Sequence, residues 1–153
     1  MYCLAQVPNL GSFCREKTRN FTKRGYALVR ILVADDNPAV RRYLRGLLEQ
    51  QDGWTVCDEA STGQEAIERF QRDKADLIVL DFQMPQMNGL EAARYIADIS
   101  PGTPILMVSI HLSKQLCEEA RKVGIRGACP KTDISSVVEA VGALLREETY
   151  FVN

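Results

Sequence analysis

Short, unbroken apolar runs alternate with longer segments whose apolar residues recur at the helical period, from residue 30 to the end of the chain. An unbroken run predicts a strand that is covered on both faces, whereas a period of about 3.6 residues predicts a helix with one buried side. The predicted strands are residues 31–34, 55–57, 77–80 and 105–108, with a weaker one at 126–129.

Five helices are predicted between and after these strands. The first begins with Asn37 as its N-cap and Pro38 at the first helical position, and the second begins with a capping box formed by Thr62 and Glu65. The third covers residues 88–99, the fourth ends at Gly124, and the fifth begins at residues 132–133. In the first helix the predicted buried stripe is Val40, Tyr43, Leu44, Leu47 and Leu48, and in the second it is Ala66, Ile67 and Phe70.

Strands that alternate with helices in this way predict an α/β fold with a doubly wound parallel sheet. Right-handed crossovers place the helices on both faces of such a sheet. Ligands then bind outside the carboxyl ends of the strands. The residues that follow the strands are therefore the ones to examine for chemistry.

Polar and charged residues end four of the five predicted strands. The first is followed by Asp35 and Asp36, the third by Asp81, the fourth by Ser109 and the fifth, after a proline, by Lys131. Carboxylates with an ammonium nearby suit Mg²⁺ together with a phosphate, since Mg²⁺ prefers a few carboxylate oxygens plus water and phosphate oxygens. Taken singly, each residue has an ordinary alternative as a helix cap or a solvated side chain. The coincidence of four strand ends favours a site.

Composition limits the other classes of function. The chain has 153 residues, 46% of them hydrophobic, and a formal net charge of −1, which suits one globular domain and gives no overall affinity for nucleic acid. No apolar run approaches the ~20 residues of a membrane span, and no secretory signal pattern is present, so a cytoplasmic location is expected. The five cysteines are scattered without a Cys-x-x-Cys motif, and we expect them to be structural.

Two terminal segments differ from the rest. Residues 1–29 lack sustained periodicity, and five basic residues stand against one acidic residue between Arg15 and Arg24. A disordered extension is the favoured interpretation, and a basic arm for an anionic partner is the alternative. The globular part is expected to span residues 30–148, with 149–153 as a tail or the start of a linker.

The motifs at the strand ends resemble those of the response-regulator receiver family over residues 30–148. Residues 31–37 resemble the first strand with its acidic pair, and residues 81–89 resemble the segment around the phosphoacceptor aspartate. Ser109 and Lys131 stand where the family has a Thr or Ser and a lysine. The resemblance implies a flavodoxin-like sheet of five strands in the order 2-1-3-4-5. The end of the chain is similar to receivers that precede a LuxR-type helix-turn-helix.

The resemblance also implies a chemistry. Asp81 would accept a phosphoryl group from the phosphohistidine of a sensor histidine kinase. Mg²⁺ would be held by Asp36, Asp81 and the backbone carbonyl of Gln83, with Asp35 as a ligand either directly or through water. Lys131 would offset charge on the phosphoryl oxygens. Such a domain is a phosphoacceptor that assists its own phosphorylation and dephosphorylation, and it is not classed as an enzyme.

Ser109 would hydrogen-bond a phosphoryl oxygen afterwards and so pass the signal to the surface. Family resemblance further implies a homodimer through the face of helix 4, strand 5 and helix 5. Contact with DNA is expected only through an effector domain outside these 153 residues, and no membrane partner is expected.

Three positions depart from the family pattern. Ala128 replaces the usual aromatic residue three positions before the lysine, Ile110 replaces a small residue after Ser109, and the usual Lys-Pro bond is absent. We therefore expect the signal to leave through helix 4 and Ser109 rather than through an aromatic ring. Gln83 and His111 occupy the two positions that tune hydrolysis of the acyl phosphate in receivers, although His111 is equally consistent with a simple loop residue.

Three alternatives follow from the same residues. A pseudo-receiver, with the same fold but no phosphorylation in the cell, is kept open by Ala128 and Ile110. A haloacid-dehalogenase-like phosphatase would need a second aspartate at position 83, where this chain has Gln83. A flavodoxin would need a Ser/Thr-rich phosphate loop after the first strand, where this chain has an acidic pair.

Overall fold

The structure of this protein is a computed structural model, which describes Gly25 and residues 27–152. It consists of a parallel sheet with helices on both faces. Strands and helices alternate throughout these residues. The strands are β1 (Val29–Ala34), β2 (Trp54–Ala60), β3 (Leu77–Asp81), β4 (Ile105–Ser109), β5 (Gly127–Pro130) and β6 (Tyr150–Phe151). The helices are α1 (Pro38–Glu49), α2 (Gly63–Arg72), α3 (Gly89–Ile99), α4 (Lys114–Lys122) and α5 (Ser135–Leu145).

The strand order is β2-β1-β3-β4-β5-β6, and every neighbouring pair is parallel. This arrangement confirms the predicted doubly wound fold and the order of its first five strands. Helices α1 and α5 pack on one face, around Leu44, Leu48 and Val141, and helices α2, α3 and α4 pack on the other, around Phe70 and Ile96. Strands β3 and β4 are buried along their whole length, as their unbroken apolar runs predicted.

The sixth strand corrects the prediction of five strands and of a tail at 149–153. After α5 the chain turns through Glu147, whose φ is +64°, and returns beside β5 as Tyr150–Phe151. The N–H of Tyr150 donates to the carbonyl of Arg126 over 3.0 Å. Gly127 allows this approach, because a Cβ there would lie 2.9 Å from the carbonyl oxygen of Tyr150.

The helix starts follow the predicted capping pattern with two corrections. Asn37 accepts from the Ala39 N–H over 2.9 Å, and Thr62 accepts from the Glu65 N–H over 3.0 Å. The Glu65 carboxylate, however, accepts from the N–H and hydroxyl of Ser61 rather than completing the capping box with Thr62. The fifth helix begins at Ser135 and not at residues 132–133, since those residues form a turn.

Tyr43 departs from the predicted buried stripe of α1. Leu44 and Leu48 are 2% and 0% exposed, whereas Tyr43 is 57% exposed. The Tyr43 side chain therefore lies on the solvent side of the helix. An aromatic ring at the edge of an apolar stripe does not by itself establish burial.

The Glu65 carboxylate is a predicted source of stability that depends on pH. The Ser61 backbone N–H, followed by the hydrogen bonds of Arg69 and the Ser61 hydroxyl, lowers the pKa of Glu65 from 4.5 to about 2 against the opposing effect of burial. A group with a lowered folded pKa stabilises the fold above its unfolded pKa and loses that contribution as the pH falls. Because Glu65 is partly exposed, we expect Glu65→Gln to cost about 1 kcal/mol at pH 7.

Urea denaturation at pH 7 and near pH 3 checks this expectation, with the exposed Glu68→Gln on the same helix as control. The difference between wild type and Glu65→Gln should shrink at the lower pH, and Glu68→Gln should stay within about 0.5 kcal/mol of wild type. A difference that is the same at both pH values would contradict the assigned hydrogen bonds.

Gly89 is required where α3 begins against the end of β3. A Cβ at this position would lie 2.4 Å from the backbone oxygen of Asp81 and 3.0 Å from the Cα of Phe82, and the Gly89 N–H donates to the Phe82 carbonyl over 2.9 Å. We expect Gly89→Ala to cost about 1–3 kcal/mol, because backbone rather than a flexible side chain must move.

Gly46 provides the matched control for Gly89. It lies in the exposed part of α1 with nothing within 4 Å of a built Cβ. We expect Gly46→Ala to stabilise the protein by about 0.5–1 kcal/mol through helix propensity. Chemical denaturation of both variants should therefore give opposite signs, and a neutral Gly89→Ala would show that the two backbones approach less closely.

The three cysteines within the described residues are free thiols that are wholly or partly buried. Cys117 and Cys129 are buried, and Cys57 is half-buried. Burial raises the pKa of Cys129 to about 11, so its thiol stays protonated at neutral pH. Cys3 and Cys14 lie outside the described residues, as does most of the segment 1–29 predicted to be an extension. Val29, the last residue of that segment, already belongs to β1.

Across the residues that the structure describes, every helix is too short or too polar to cross a bilayer.

Candidate functional site

The carboxyl ends of β1, β3, β4 and β5 bring the predicted polar residues to one edge of the sheet. Asp35 follows β1 and is fully buried, while Asp81 and Ser109 are the last residues of β3 and β4 and are 2% and 0% exposed. Lys131 follows β5, and its N–H donates to the Ser109 carbonyl over 2.8 Å. Parallel register thus converts four separate strand ends into one cluster.

Lys131 bridges the two buried carboxylates. Its Nζ lies 2.5 Å from Oδ2 of Asp35 and 3.1 Å from Oδ2 of Asp81. The Lys131 side chain is 13% exposed, so these contacts are shielded from water and retain much of their strength. One ammonium between two carboxylates still leaves one excess negative charge in the buried part of the cluster.

The pKa values of Asp81 and Lys131 are shifted by burial and by the charges that surround them. Burial, and then the charge of Asp35, raise the pKa of Asp81 above its usual range, although Lys131 and the backbone N–H of Gln83 act in the opposite direction. Burial opposes the charged form of Lys131, but its hydrogen bonds to the two carboxylates outweigh that effect and raise its pKa. A further positive charge at this edge would therefore favour the ionised form of Asp81.

Asp36 provides a third carboxylate at the rim of the cluster. One carboxylate oxygen from each of Asp35, Asp36 and Asp81 can be chosen so that all lie within 4.8 Å of one another. Asp36 is exposed, which leaves one side of this group open to solvent. Three clustered oxygens with an open side suit a hard divalent cation that keeps several waters, as Mg²⁺ does.

Ser109 carries a buried hydroxyl without a hydrogen-bond partner among the described residues. A buried hydroxyl in that condition costs free energy, because its hydration is lost and nothing replaces it. An incoming group with acceptor oxygens would relieve this cost. The sequence alone could place Ser109 at a strand end but could not reveal that its hydroxyl is unpartnered.

The remaining predicted positions lie around the cluster. Gln83 and His111 are exposed, and Ile110 is 51% exposed, so its side chain points away from the core. The predicted role of the Gln83 carbonyl and the tuning role of His111 stay predictions. Ala128 is fully buried and pairs in register with Phe151 of β6, whose ring packs against the same apolar cluster as Ala128.

Arg41 is the contact residue that sequence reasoning missed. Its Nη1 donates to the backbone carbonyl of Asp35 over 2.6 Å. A signal was present, because Arg41 lies three residues before Leu44 and seven before Leu48 and so belongs to the buried side of α1. A charged residue at such a position needs a buried partner.

Comparison with known proteins places the chain in a family. The model of the response regulator receiver domain matches residues 31–142. The chain belongs to the response regulator receiver domain family. It is 34% identical to the chemotaxis protein CheY of Thermotoga maritima over 113 residues, which are 73% of this chain and 93% of CheY.

Two further relatives are a transcriptional regulatory protein and a regulator of the LuxR family. The transcriptional regulatory protein YxjL of Bacillus subtilis is 32% identical over 124 residues, which cover 80% of this chain but only 57% of YxjL. The crystal structure of a LuxR-family two-component response regulator from Aurantimonas superposes with a TM-score of 0.78 at 30% identity, covering 81% of this chain and 89% of that one. The predicted likeness to receivers of the LuxR type is confirmed.

The receiver domain is therefore a signalling module of two-component systems, and the chain spans only about half the length of relatives such as YxjL. Another relative, named a protein-glutamate methylesterase/protein-glutamine glutaminase, of Alkalilimnicola ehrlichii, is 37% identical over 123 residues, which cover 78% of this chain and 31% of that protein. The family assignment does not by itself identify the residues that act in this chain.

Proposed function

We propose that Asp81 of this receiver domain accepts a phosphoryl group from the phosphohistidine of a sensor histidine kinase. The observation that carries the proposal is the buried ammonium of Lys131 between Asp35 and Asp81, beside the unpartnered hydroxyl of Ser109. A carboxylate nucleophile, a fixed cation and a free hydrogen-bond donor are the groups that an acyl phosphate at this place requires.

The transfer needs one bond to form and one to break. A carboxylate oxygen of Asp81 attacks phosphorus, the P–N bond to the imidazole breaks, and the imidazole nitrogen keeps the electron pair. Lys131 offsets negative charge on the phosphoryl oxygens, which is where most catalytic help must act. Ser109 then donates its hydroxyl hydrogen to one of those oxygens and so gains the partner that it lacks.

Asp35, Asp36, Asp81 and the carbonyl of Gln83 are the proposed Mg²⁺ ligands. The excess negative charge of the cluster and its clustered carboxylate oxygens support this assignment. Bound Mg²⁺ would supply positive charge that lowers repulsion between the carboxylates and the incoming phosphoryl oxygens. That charge would favour the ionised form of Asp81, whose pKa burial and the charge of Asp35 raise.

Intact-mass measurement tests the proposal. The protein is incubated with acetyl phosphate and Mg²⁺, and a mass increase of one phosphoryl group is expected, together with its loss when EDTA replaces Mg²⁺. No mass increase under any condition would favour the pseudo-receiver, which has the same fold but acts only as an interaction module. Transfer from a phosphorylated kinase domain is the corresponding test of the physiological donor.

We also propose that the signal leaves through Ser109 and α4, since Ala128 provides no ring at the position where the family resemblance leads us to expect one. The β4–α4 loop connects Ser109 to Leu112, which packs against the same cluster as Phe151. Amide shifts of α4 and β5, measured with and without beryllofluoride, should change. Unchanged amide shifts in α4 and β5 would contradict signal transmission through Ser109 and α4.

The proposal of partners other than the kinase is based on the matched relatives. A homodimer through α4, β5 and α5, and contact with DNA through an effector domain, are proposed because LuxR-type regulators are among the matched proteins. Sedimentation of the protein with and without beryllofluoride would detect a phosphorylation-dependent dimer.

A further inference from the structure

Arg41 joins the acidic loop after β1 to the edge strand β2. Its Nη1 donates to the carbonyl oxygen of Asp35 over 2.6 Å, and its Nε donates to Oε2 of Glu59 over 3.2 Å. The Arg41 side chain is 18% exposed, so both bonds are made largely out of water. Because the guanidinium is planar and rigid, fixing one edge on Glu59 fixes the direction of the other.

The bond from Arg41 controls a peptide plane in the proposed metal site. The Asp35 carbonyl belongs to the planar peptide that connects Asp35 to Asp36, so holding its oxygen orients the whole unit. Asp35 is also fixed by its N–H, which donates to the Ala60 carbonyl over 3.0 Å, and by its carboxylate, whose Oδ1 accepts from the Asn37 N–H over 2.8 Å and whose Oδ2 lies 2.5 Å from Nζ of Lys131. Asp36 is exposed. The position of its carboxylate therefore depends more than that of Asp35 on the orientation of the peptide that precedes it.

Glu59 is itself held by a second arginine. Arg45 donates from Nε to Oε1 of Glu59 over 2.6 Å and from Nη1 to the Val56 carbonyl over 3.0 Å. The contacts of Arg45 are with Glu59, Val56 and Glu49, and none of its hydrogen bonds reaches the loop of Asp35 and Asp36. Two arginines thus share one carboxylate, but only Arg41 extends from it to the acidic pair.

We propose that Arg41 is a positioning residue for the divalent-cation site, holding the peptide between Asp35 and Asp36 so that both carboxylates converge. The inference rests on the proposed function, because it concerns the metal that supports phosphoryl transfer. Arg41 acts through the backbone of Asp35 and does not itself contact metal or phosphate.

Charge and geometry make opposite contributions at this position. A nearby positive charge by itself weakens binding of a cation, so its removal would tighten Mg²⁺ binding. Loss of the bond to Asp35 should weaken Mg²⁺ binding, as the loss of residues that orient metal ligands generally does. Arg41→Lys keeps the charge but cannot make both bonds with one ammonium, and Arg41→Met removes the charge as well.

Titration of the full chain with Mg²⁺ alone, followed by amide shifts and calorimetry, tests the proposal without phosphorylation. Arg41→Lys should weaken Mg²⁺ binding roughly tenfold. Arg41→Met should also bind Mg²⁺ more weakly than wild type, against the electrostatic expectation. The control Arg45→Lys, which alters the other contact of Glu59, should stay within about twofold of wild type, since Arg45 makes no bond to the loop.

The outcomes separate this inference from the proposed function. Wild-type affinity in Arg41→Lys, tighter binding in Arg41→Met, or an equal loss in Arg45→Lys would overturn the positioning role while leaving the receiver chemistry intact. Absence of Mg²⁺ binding in the wild type would overturn both. Urea denaturation of each variant confirms that the compared proteins are folded at the titration temperature.

Discussion

Replacing Asp81 by asparagine is expected to abolish phosphoryl incorporation and, in the absence of Mg²⁺, to make the folded protein more stable. The loss of incorporation follows because an amide oxygen is a far weaker nucleophile than a carboxylate and cannot form the acyl phosphate. The variant keeps the shape of the side chain, so its failure would reflect chemistry rather than misfolding. Intact-mass measurement after treatment with acetyl phosphate and Mg²⁺ provides the readout.

The gain in stability follows from the charges around Asp81. Asp35 and Asp81 are both buried, and burial together with the charge of Asp35 raises the pKa of Asp81. A carboxyl whose folded pKa is raised destabilises the fold above its unfolded pKa, and this cost disappears as the pH falls. Neutralising Asp81 leaves Asp35 and Lys131 as a balanced pair, so we expect a gain of about 1 kcal/mol at pH 7.

Asp36→Asn is the matched control, because Asp36 belongs to the same acidic group but is exposed. It should change the free energy of unfolding by less than about 0.5 kcal/mol without Mg²⁺, yet weaken Mg²⁺ binding. If Asp81→Asn were less stable than wild type in EDTA, the excess negative charge assigned to the buried cluster would be wrong.

Replacing Lys131 by methionine should have the largest effect on stability. The change removes the cation that lies 2.5 Å from Asp35 and 3.1 Å from Asp81, and it leaves two buried carboxylates facing each other. Removing one partner of a buried ion pair costs about 3 kcal/mol or more. Phosphoryl incorporation should also slow by roughly a hundredfold, because charge on the transferring oxygens is no longer offset at that side.

Mg²⁺ provides the internal check on the Lys131 prediction. If Asp35 and Asp81 share a metal site, added Mg²⁺ should stabilise Lys131→Met more than it stabilises wild type. Denaturation in urea with and without Mg²⁺ measures the stabilisation of each protein by the metal. Lys122→Met at the exposed end of α4 makes the same chemical change and should cost less than about 1 kcal/mol. A Lys131→Met variant as stable as this control would contradict the assigned ion pairs.

The fold was largely predictable because burial on both faces leaves a direct trace in the sequence. Strands β3 and β4 are unbroken apolar runs, and Asn37 and Thr62 cap their helices as predicted. Strand β6 was not predictable, since two residues carry no periodicity and their pairing depends on Gly127 far away in the sequence. Likewise, the start of α5 depends on a local turn that residues 132–134 adopt before Ser135.

The residues of the candidate site could be predicted from the sequence, but their contacts could not. Its main members could be predicted because parallel strands bring their carboxyl ends together, which required only the positions of Asp35, Asp81, Ser109 and Lys131. Atomic detail could not be predicted: which carboxylates Lys131 pairs with, that the Ser109 hydroxyl is unpartnered, and that Arg41 reaches the Asp35 carbonyl. These features depend on side-chain directions, which periodicity does not determine.

The most direct test of the account is to locate the phosphoryl group on the chain. After treatment with acetyl phosphate and Mg²⁺, reduction with borohydride converts an aspartyl phosphate into a stable homoserine, which peptide mass spectrometry can assign to one position. Conversion is expected at Asp81 alone, with none at Asp35 or Asp36 and none when Mg²⁺ is withheld. Conversion at another residue, or no conversion in a folded protein that binds Mg²⁺, would contradict that expectation.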